Sequence, residues 1–211
     1  GARPGLAVFS LSDAVDAMSD LAAEVETEHR PLVALFPTVI GADFNELDQA
    51  VQDSHKTIAP RRWTGTAKIT RGVGLWPSLL ALAFGFPKAA EAIPVTVIKT
   101  PHANGETWER RFGHQAFRSH LSVGPNGMRE GFGPFSFELG LTVKDGALHF
   151  PVTGGRFLGI PLPKVCLPIS KAVETEDDGS FRFDVALKAP LSGQLVVHYQ
   201  GSLTRQAKNT T

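Results

Sequence analysis

The chain has 211 residues, 42% of them hydrophobic, and its 21 acidic residues balance its 21 basic ones. This length suits one domain with an extension, and the absence of net charge argues against nucleic acid as a partner. The one cysteine excludes an internal disulfide and a cluster of thiolate metal ligands. We expect a cytoplasmic protein without a signal peptide or a spanning segment, because the longest apolar run, 73–86, is shorter than the ~20 residues that cross a bilayer.

The beginning of the chain is predicted to be an extension with one helix. Residues 1–11 have the composition of a disordered lead, and residues 12–28 place apolar side chains at helical spacing behind a serine N-cap. A second helix is predicted to begin at Asp43 and Glu46, which have the spacing of a capping box. The predicted domain organisation is an extension, a single domain and a tail, at residues 1–30, 31–205 and 206–211.

From residue 62 onward, the pattern changes to the period-two alternation that is typical of strands with one buried face. The alternation is clearest in a hairpin around Asp145-Gly146, a turn dipeptide whose residues both tolerate positive φ. Other Asn-Gly and Asp-Gly turns separate further alternating segments. Ten strands are predicted, at residues 63–70, 94–100, 105–113, 115–123, 127–132, 134–144, 147–154, 171–177, 180–189 and 192–204.

A helical segment interrupts the strands between the first and the second. Residues 72–92 are rich in leucine, Pro77 is tolerated in a first turn, and Gly85 and Pro87 are predicted to divide the segment into two short helices. The segment is interpreted either as a plug on the open end of the sheet, or as a lid that admits a ligand or touches a membrane.

Short strands joined by tight turns predict a mainly β (α+β) fold, in which an antiparallel meander curls into a barrel or half-barrel. In the order of its elements this arrangement resembles the calycins, above all the intracellular fatty-acid-binding proteins, with a helical lid between strands 1 and 2 and one or two N-terminal helices. The order also resembles the helix-grip domains, although their long C-terminal helix has no counterpart in this sequence. Such barrels hold small ligands, but element order carries fold rather than function.

The loop at residues 154–168 is unusually apolar. It combines prolines and glycines with large apolar residues such as Phe157 and Ile160, which must be covered by the core or by a bound apolar molecule. Cys166 within this loop is interpreted as a small buried filler, because no partner base for a nucleophile is evident.

The third predicted strand has two faces of different composition. One face carries Glu106, Trp108, Arg110 and Phe112, and the other carries polar and charged side chains. If the first face points inward, Glu106 and Arg110 enter the cavity, and Arg118 on the next strand joins them in a network around a polar head group. If the second face points inward, the same charges lie on a solvated surface, in ion pairs worth under about 1 kcal/mol each. The pattern leaves both alternatives open.

The motifs give no support to metal or nucleotide chemistry. The seven histidines show no metal-binding spacing, and the chain has no P-loop, no dinucleotide fingerprint and no nucleophile elbow. We therefore expect no metal site and no cofactor.

Short motifs are spread over residues 32–204. They are Gly65-Thr66-Ala67, Arg71-Gly72, Pro94-Val95-Thr96-Val97, Glu106-Thr107-Trp108-Glu109-Arg110, Phe112-Gly113, Phe117-Arg118-Ser119, Gly133-Pro134, Gly159-Ile160-Pro161-Leu162-Pro163, Phe183-Asp184-Val185 and Val197-His198-Tyr199-Gln200-Gly201. Together they resemble a bacterial family, the domain of unknown function numbered 4166, which usually has arginine and tryptophan where this chain has Gln200 and Ser202. The resemblance implies a fold, and a partner domain of the reductase type in some members, without a settled activity.

The leading hypothesis is a binding module for a small hydrophobic or amphipathic molecule, lipid- or isoprenoid-like. Its predicted ligand-binding residues are Trp76, Leu80, Trp108, Phe135, Phe137, Leu139, Phe150, Phe157, Ile160, Phe183 and Tyr199. The alternative is a cofactor-free cyclase, isomerase or hydrolase that uses Glu106 as acid or base and Arg110 or Arg118 on developing negative charge. A third hypothesis is docking to a reductase-type partner domain. Peripheral membrane contact is compatible with the first hypothesis.

Overall fold

The computed structural model describes residues 32–125 and 127–206. The lead predicted at residues 1–11, the helix predicted at residues 12–28 and most of the predicted tail lie outside the described residues. From Val33 onward, the described residues form one compact unit. No helix among them is long and apolar enough to span a bilayer.

Antiparallel strands dominate the described residues. The helices are α1 (Leu35–Ile40), α2 (Gln49–His55) and α3 (Leu75–Ala83), and 3-10 turns cover Gly41–Glu46 and Lys164–Cys166. The strands are β1 (Arg61–Arg71), β2 (Ala90–His102), β3 (Gly105–Phe112), β4 (Gln115–Gly124), β5 (Gly127–Phe132), β6 (Phe135–Leu139), β7 (Thr142–Lys144), β8 (Ala147–His149), β9 (Val152–Phe157), β10 (Ile160–Pro161), β11 (Ile169–Asp177), β12 (Ser180–Lys188) and β13 (Leu195–Arg205).

All thirteen strands of the described residues form one sheet, in the order β10-β9-β6-β5-β4-β3-β2-β1-β13-β12-β11-β8-β7. The first and last strands of the chain meet near the centre, where β1 pairs antiparallel with both β2 and β13. The mainly β, antiparallel prediction is confirmed. The order ends at β10 and β7, which do not pair with each other, so the sheet is not closed into a barrel. Of the two forms predicted, the closed barrel is wrong.

One hairpin, residues 135–157, supplies strands to both ends of this order. Its base pairs through β6 with β5 on one flank of the sheet, whereas its tip pairs through β8 with β11 on the other flank. The strand predicted at 134–144 is therefore divided into β6 and β7, and the strand predicted at 147–154 is divided into β8 and β9. Where the two arms divide, the Gly140 N–H donates to the Pro151 carbonyl, 3.0 Å away. Because the hairpin reaches both flanks, the sheet curls around a concave face.

The tip of this hairpin decides where α2 begins. The predicted turn at Asp145-Gly146 is confirmed, with positive φ angles of 51° and 77°. The Gly146 carbonyl accepts a hydrogen bond from the backbone N–H of Asp48, 2.9 Å away, and Asp48 is the N-cap of α2. The helix start predicted near Asp43 is wrong, since a 3-10 turn occupies that position. A tertiary contact has overridden the local capping signal.

The helical segment between β1 and β2 contains one α-helix rather than the two predicted. α3 ends at Ala83, the chain then turns at Gly85 with a φ of 67°, and β2 begins at Ala90. The second predicted helix fails because residues from 90 onward find a β-sheet partner in β1.

The segment around α3 reaches across one end of the curved sheet. Trp76 Nε1 donates to the Pro190 carbonyl in the β12–β13 connection, 3.3 Å away. Beyond the helix, the ring of Phe84 lies 5.1 Å from that of Phe135 in β6, measured between centroids. Because α2 precedes β1 and α3 follows it, the two helical regions lie at opposite ends of the central strands.

The central strands leave no room for a side chain at Gly65. This residue lies opposite Leu203 of β13, and an added Cβ would overlap the Ser202 carbonyl oxygen. We expect Gly65→Ala to destabilise the protein by about 2–3 kcal/mol, because the obstacle is backbone rather than a flexible side chain. This loss corresponds to a fall in Tm of roughly 5–10 °C, measurable by circular dichroism.

The matched control is Gly131→Ala in β5, where the nearest atom to an added Cβ is the His120 carbonyl oxygen at 3.7 Å. This variant is expected to change stability by under about 1 kcal/mol. Equal Tm values for the two variants would show that β1 and β13 are not packed as closely as described.

Candidate functional site

The concave face of the sheet surrounds a cavity of about 430 Å³. This volume lies in the range of small-molecule binding sites. The wall comes from both flanks of the sheet and from α3, and it is mainly apolar. Aromatic side chains form a large part of it: Trp76, Phe84, Phe86, Trp108, Phe112, Phe117, Phe132, Phe135, Phe137, Phe150, Phe181, Phe183 and Tyr199.

Five charged side chains also line the cavity. Lys188 is exposed to solvent, whereas Lys99, Arg110, Glu130 and Glu174 are buried or half-buried. Each of these four lies in the inward-facing register of its strand. Lys99, for example, follows the buried Val95 and Val97 at two-residue spacing in β2. Charges in such positions are costly unless they are paired, so their contacts decide what the site can do.

The orientation of β3 answers the question that the sequence left open. Glu106, Trp108 and Phe112 are buried, and Arg110 lines the cavity, so this face points inward. Arg118 does not join them, because it lies on the outer face of the sheet in an ion pair with Glu109. The prediction that placed Arg118 in an internal network is therefore wrong. Glu109 of β3 lies opposite Arg118 of β4, and the ion pair between them holds the Arg118 guanidinium on the outer face of the sheet.

The indole of Trp108 is the centre of the polar end of the cavity. Its Nε1 donates to Glu106 Oε2, 2.8 Å away. The Lys99 Nζ lies 4.1 Å from the ring centroid and the Arg110 Cζ lies 4.7 Å from it. On the side of α1, the ring of Phe36 stacks on the indole with a centroid distance of 5.6 Å. Desolvated cation–π contacts of this kind are worth up to about 2 kcal/mol each.

Glu106 positions the indole rather than facing the cavity. It is buried and is not among the lining residues. Burial raises the pKa of Glu106, against the opposing charge of Lys99 and the hydrogen bond from Trp108.

Lys99 is a buried cation at the end of the cavity that α2 covers. Its Nζ donates to the Ser54 carbonyl at 2.9 Å and to the Ser54 Oγ at 2.7 Å. Ser54 lies in the last turn of α2, where backbone carbonyls carry partial negative charge. Burial lowers the pKa of Lys99 to about 8, outweighing the carboxylates of Glu174 and Glu106, which raise it.

Glu174 forms a buried pair with His55 of α2. The Nε2 of His55 donates to Glu174 Oε2, and the imidazole Nδ1 has no partner among the described residues, which fits a neutral ring protonated on Nε2. Burial, reinforced by the charge of Lys99, lowers the pKa of His55 to about 4. Burial alone would raise the pKa of Glu174, but the His55 hydrogen bond and the Lys99 charge bring it below the ordinary value.

Arg110 links three neighbouring strands on the cavity wall. Its Nη1 donates to Ser119 Oγ of β4 at 2.8 Å, and its Nη2 donates to Glu130 Oε1 of β5 at 3.0 Å. The side chains of Arg110 and Glu130 are both 12% exposed. The pair is therefore reachable from the cavity and shielded from bulk water.

The charges of the four shielded side chains cancel. Lys99 and Arg110 carry two positive charges, Glu130 and Glu174 carry two negative ones, and the fifth charge of the wall belongs to the exposed Lys188. Tyr199, on the same wall, stays a neutral phenol, because burial raises its pKa to about 12. The polar end thus offers donors and acceptors without a net charge for an ion to neutralise.

Most of the predicted ligand-binding residues lie on this wall, although their binding role stays a prediction. Those on the wall are Trp76, Leu80, Trp108, Phe135, Phe137, Leu139, Phe150, Phe183 and Tyr199. Phe157 and Ile160 do not line the cavity, and Ile160 is 69% exposed. The prediction of a buried Cys166 is also wrong, because this residue is exposed at the edge of the cavity, in a 3-10 turn that contains no buried residue.

The sequence reasoning missed Lys99, Glu130, Glu174 and His55. For the three strand residues a signal existed, since each is a charged residue in phase with buried apolar neighbours in its strand. His55 gave no such signal, because its partner Glu174 lies 119 positions away in the chain. No group of three or more potential metal ligands occurs among the described residues.

The His55 pair predicts a pH dependence of folding. The ordinary pKa of 6.5 in the unfolded chain falls to about 4 on folding, so between these values the unfolded chain binds a proton that the folded protein does not. The contribution of His55 is therefore complete above pH 6.5 and is lost as the pH falls towards 4, by up to about 3 kcal/mol. Urea unfolding at pH 7.5 and pH 5 measures this loss.

The loss of folding stability between pH 7.5 and pH 5 is expected to be smaller in His55→Gln, because the glutamine amide keeps a donor for Glu174 but does not titrate. The control His114→Gln changes an exposed histidine and is expected to retain the full loss. The same acid sensitivity in His55→Gln and wild type would refute this account of the pair.

Comparison with known protein families agrees with the resemblance noted in the sequence. No curated protein matches the chain. The model of a family described as a domain of unknown function, DUF4166, matches residues 47–203, which include α2, α3 and nearly the whole sheet. The match covers well over half of the chain and contains all the charged residues of the cavity wall. The chain therefore belongs to the DUF4166 family of domains of unknown function.

Proposed function

We propose that the protein binds a small amphipathic molecule, lipid- or isoprenoid-like, with an uncharged polar group. The observation that carries the proposal is the cavity of about 430 Å³, which is mainly apolar and has its shielded charged side chains grouped around Trp108. An apolar chain would lie against the phenylalanine rings, and a hydroxyl, carbonyl or ether oxygen would meet the donors near Trp108.

The apolar wall supplies enough free energy for binding. Each buried CH₂ contributes roughly 0.8 kcal/mol, so that about ten carbons give roughly 8 kcal/mol before ordering costs, which corresponds to micromolar affinity.

The charge balance of the polar end around Trp108 favours an uncharged head group. An anion would find its attraction to Lys99 and Arg110 offset by Glu130 and Glu174, which are already present. It would also lose its own hydration, at a cost of several kcal/mol. A neutral oxygen avoids this cost and can still accept a hydrogen bond.

The enzymatic alternative has less support from the geometry. Of its three candidate catalytic residues, only Arg110 lines the cavity, and its two terminal nitrogens are engaged by Ser119 and Glu130. Glu106 lies at the Nε1 edge of the Trp108 ring and does not line the cavity, and Arg118 lies on the outer face. Binding is therefore the function that we propose.

The mouth of the cavity lies beside α3. Its exposed lining residues are Trp76, Cys166, Lys188 and Leu191, which come from three separate segments. These segments, residues 71–90, 156–173 and 185–196, are called the mouth surface. They contain 11 of the 15 exposed large apolar side chains of the described residues, a concentration that indicates a contact surface.

The charge of the mouth surface points to one occupant, an anionic bilayer. Its three segments contain six basic residues and no Asp or Glu, although the whole chain has no net charge: Arg71, Lys88, Arg156, Lys164, Lys171 and Lys188. Apolar side chains flanked by cations suit a membrane interface, where each cation near an anionic surface contributes about 1 kcal/mol. We propose that the ligand enters the cavity from such a surface.

The first test concerns ligand capacity. Titration of delipidated protein with N-phenyl-1-naphthylamine, a neutral apolar fluorophore, is expected to show saturable micromolar binding. The anionic analogue 1-anilinonaphthalene-8-sulfonate is expected to bind at least about tenfold more weakly, because its sulfonate would lose its hydration at a polar end that has no net positive charge to repay this cost. Equal or tighter binding of the anionic probe would contradict the proposed neutral head group.

Variants on one strand make the capacity test specific. Leu139→Trp fills the cavity from β6 and is expected to weaken the neutral probe by at least about tenfold. Ser136→Trp, on the other face of β6, is the matched control and is expected to bind normally. Equal loss in both variants, or no binding by the wild type, would refute the proposed function.

The second test concerns the membrane. Flotation with phosphatidylglycerol vesicles is expected to recover the protein, recovery is expected to decrease with added salt, and phosphatidylcholine vesicles are expected to recover much less. Leu79→Glu on α3 is expected to reduce binding by about tenfold, since it removes an exposed apolar contact and adds a repulsive charge.

Ile58→Glu is the matched control, because Ile58 is an exposed apolar residue that precedes β1, at the opposite end of the sheet. This variant is expected to bind vesicles like the wild type. If the wild type bound N-phenyl-1-naphthylamine but did not bind vesicles, the membrane would be refuted as the occupant of the mouth surface. That result would favour a protein occupant, such as a reductase-type partner domain.

A further inference from the structure

Lys99 is a buried lysine on the cavity wall that forms no direct ion pair within the described part of the chain, an environment that a purely structural role does not require. Lys99 is 2% exposed, yet it is one of the residues that line the cavity, and its Nζ lies 4.1 Å from the ring centroid of Trp108, another lining residue. Both of its hydrogen bonds go to Ser54, and no ion pair closer than 4.0 Å among the described residues includes it. The amine is therefore a nucleophile at the closed end of an apolar cavity, beside a carboxylate that does not bind it directly.

We propose that the Lys99 Nζ is a covalent site for a carbonyl group, so that an amphipathic aldehyde or ketone bound in the cavity is held as an imine. The inference rests on the proposed binding function and names the chemical class of ligand that the polar end selects. The carbonyl would lie over the Trp108 ring, with the apolar chain directed along the phenylalanine wall towards the mouth.

The chemistry needs no further reactant. The lone pair of the neutral amine attacks the carbonyl carbon, a C–N bond forms, and the carbonyl electron pair moves to oxygen, which takes a proton from the nitrogen to give a carbinolamine. The nitrogen lone pair then forms the C=N bond while the hydroxyl leaves with a proton as water. One amine and one carbonyl are consumed, and one imine and one water are produced.

The surroundings of Lys99 favour each stage of this reaction. Burial lowers the pKa of the amine to about 8, which leaves a useful fraction neutral near physiological pH. A protonated imine would keep the cation–π contact with Trp108, and the charge of Glu174, already the strongest carboxylate influence on Lys99, would balance it. The closed end also limits the access of water that would hydrolyse the imine.

The test uses decanal with the full chain, followed by sodium cyanoborohydride and peptide mass spectrometry. We expect rapid attachment of one decyl group per protein, on Lys99, at about tenfold or more the rate of any exposed lysine. Prior saturation with decanol, which occupies the cavity but cannot form an imine, is expected to slow this attachment. Both reagents present the same apolar chain.

Variants separate a nucleophilic role from a structural one. Lys99→Arg keeps a cation and donors for Ser54 but cannot form the imine, and Lys99→Met removes the charge while keeping an unbranched side chain. Both are expected to lose the cavity label, whereas Lys144→Arg, at an exposed hairpin position, is expected to keep it. Either Lys99 variant suffices if the other does not fold.

The outcomes also distinguish this inference from the proposed function. Labelling spread over exposed lysines and unchanged in the Lys99 variants would overturn the covalent site. If N-phenyl-1-naphthylamine still bound in that case, the binding function would stand. Failure of both the label and the neutral probe would reject the two proposals together.

Discussion

The fold depends on one hairpin that belongs to both flanks of the sheet at once. The base of the hairpin extends the flank of β5 and its tip extends the flank of β11, with the change of partner beside Gly140 and Pro151. In a flat sheet, strands ~4.8 Å apart would separate the ends of a thirteen-strand order by roughly 58 Å. One hairpin cannot span that distance and keep both ladders, so the sheet curls and its concave face encloses the cavity.

The charges inside the cavity are not what a purely structural core requires. Buried ion pairs such as Arg110 with Glu130 contribute little net stability compared with well-packed apolar side chains. Their cost here is limited by mutual cancellation and by contacts with Trp108, which brings two cations to one aromatic ring. An uncharged amphipathic ligand needs a neutral polar patch in an aromatic cavity. The charged side chains that add little to stability are therefore explained by the proposed function.

The two ends of the cavity differ because different helices cover them. At one end, α1 and α2 supply Phe36, Ser54 and His55, which enclose the polar patch. At the other end, α3 leaves apolar side chains exposed within a cationic surface. In the proposed function, a lipid-like molecule at a bilayer would enter with its polar group first and reach Trp108, and its chain would follow onto the phenylalanine wall.

The sequence by itself determined the local features. Alternation and Asp-Gly turns predicted the antiparallel meander, because period two and positive φ are properties of short segments, and the same alternation found wall residues such as Phe137 and Leu139. Only the tertiary structure decided which face of β3 points inward, where α2 begins and that the sheet stays open, since these depend on contacts between distant segments such as Asp48 with Gly146. The pairing of His55 with Glu174 is the clearest case: the two residues lie 119 positions apart in the chain, and only the curled sheet brings them together and removes water from both.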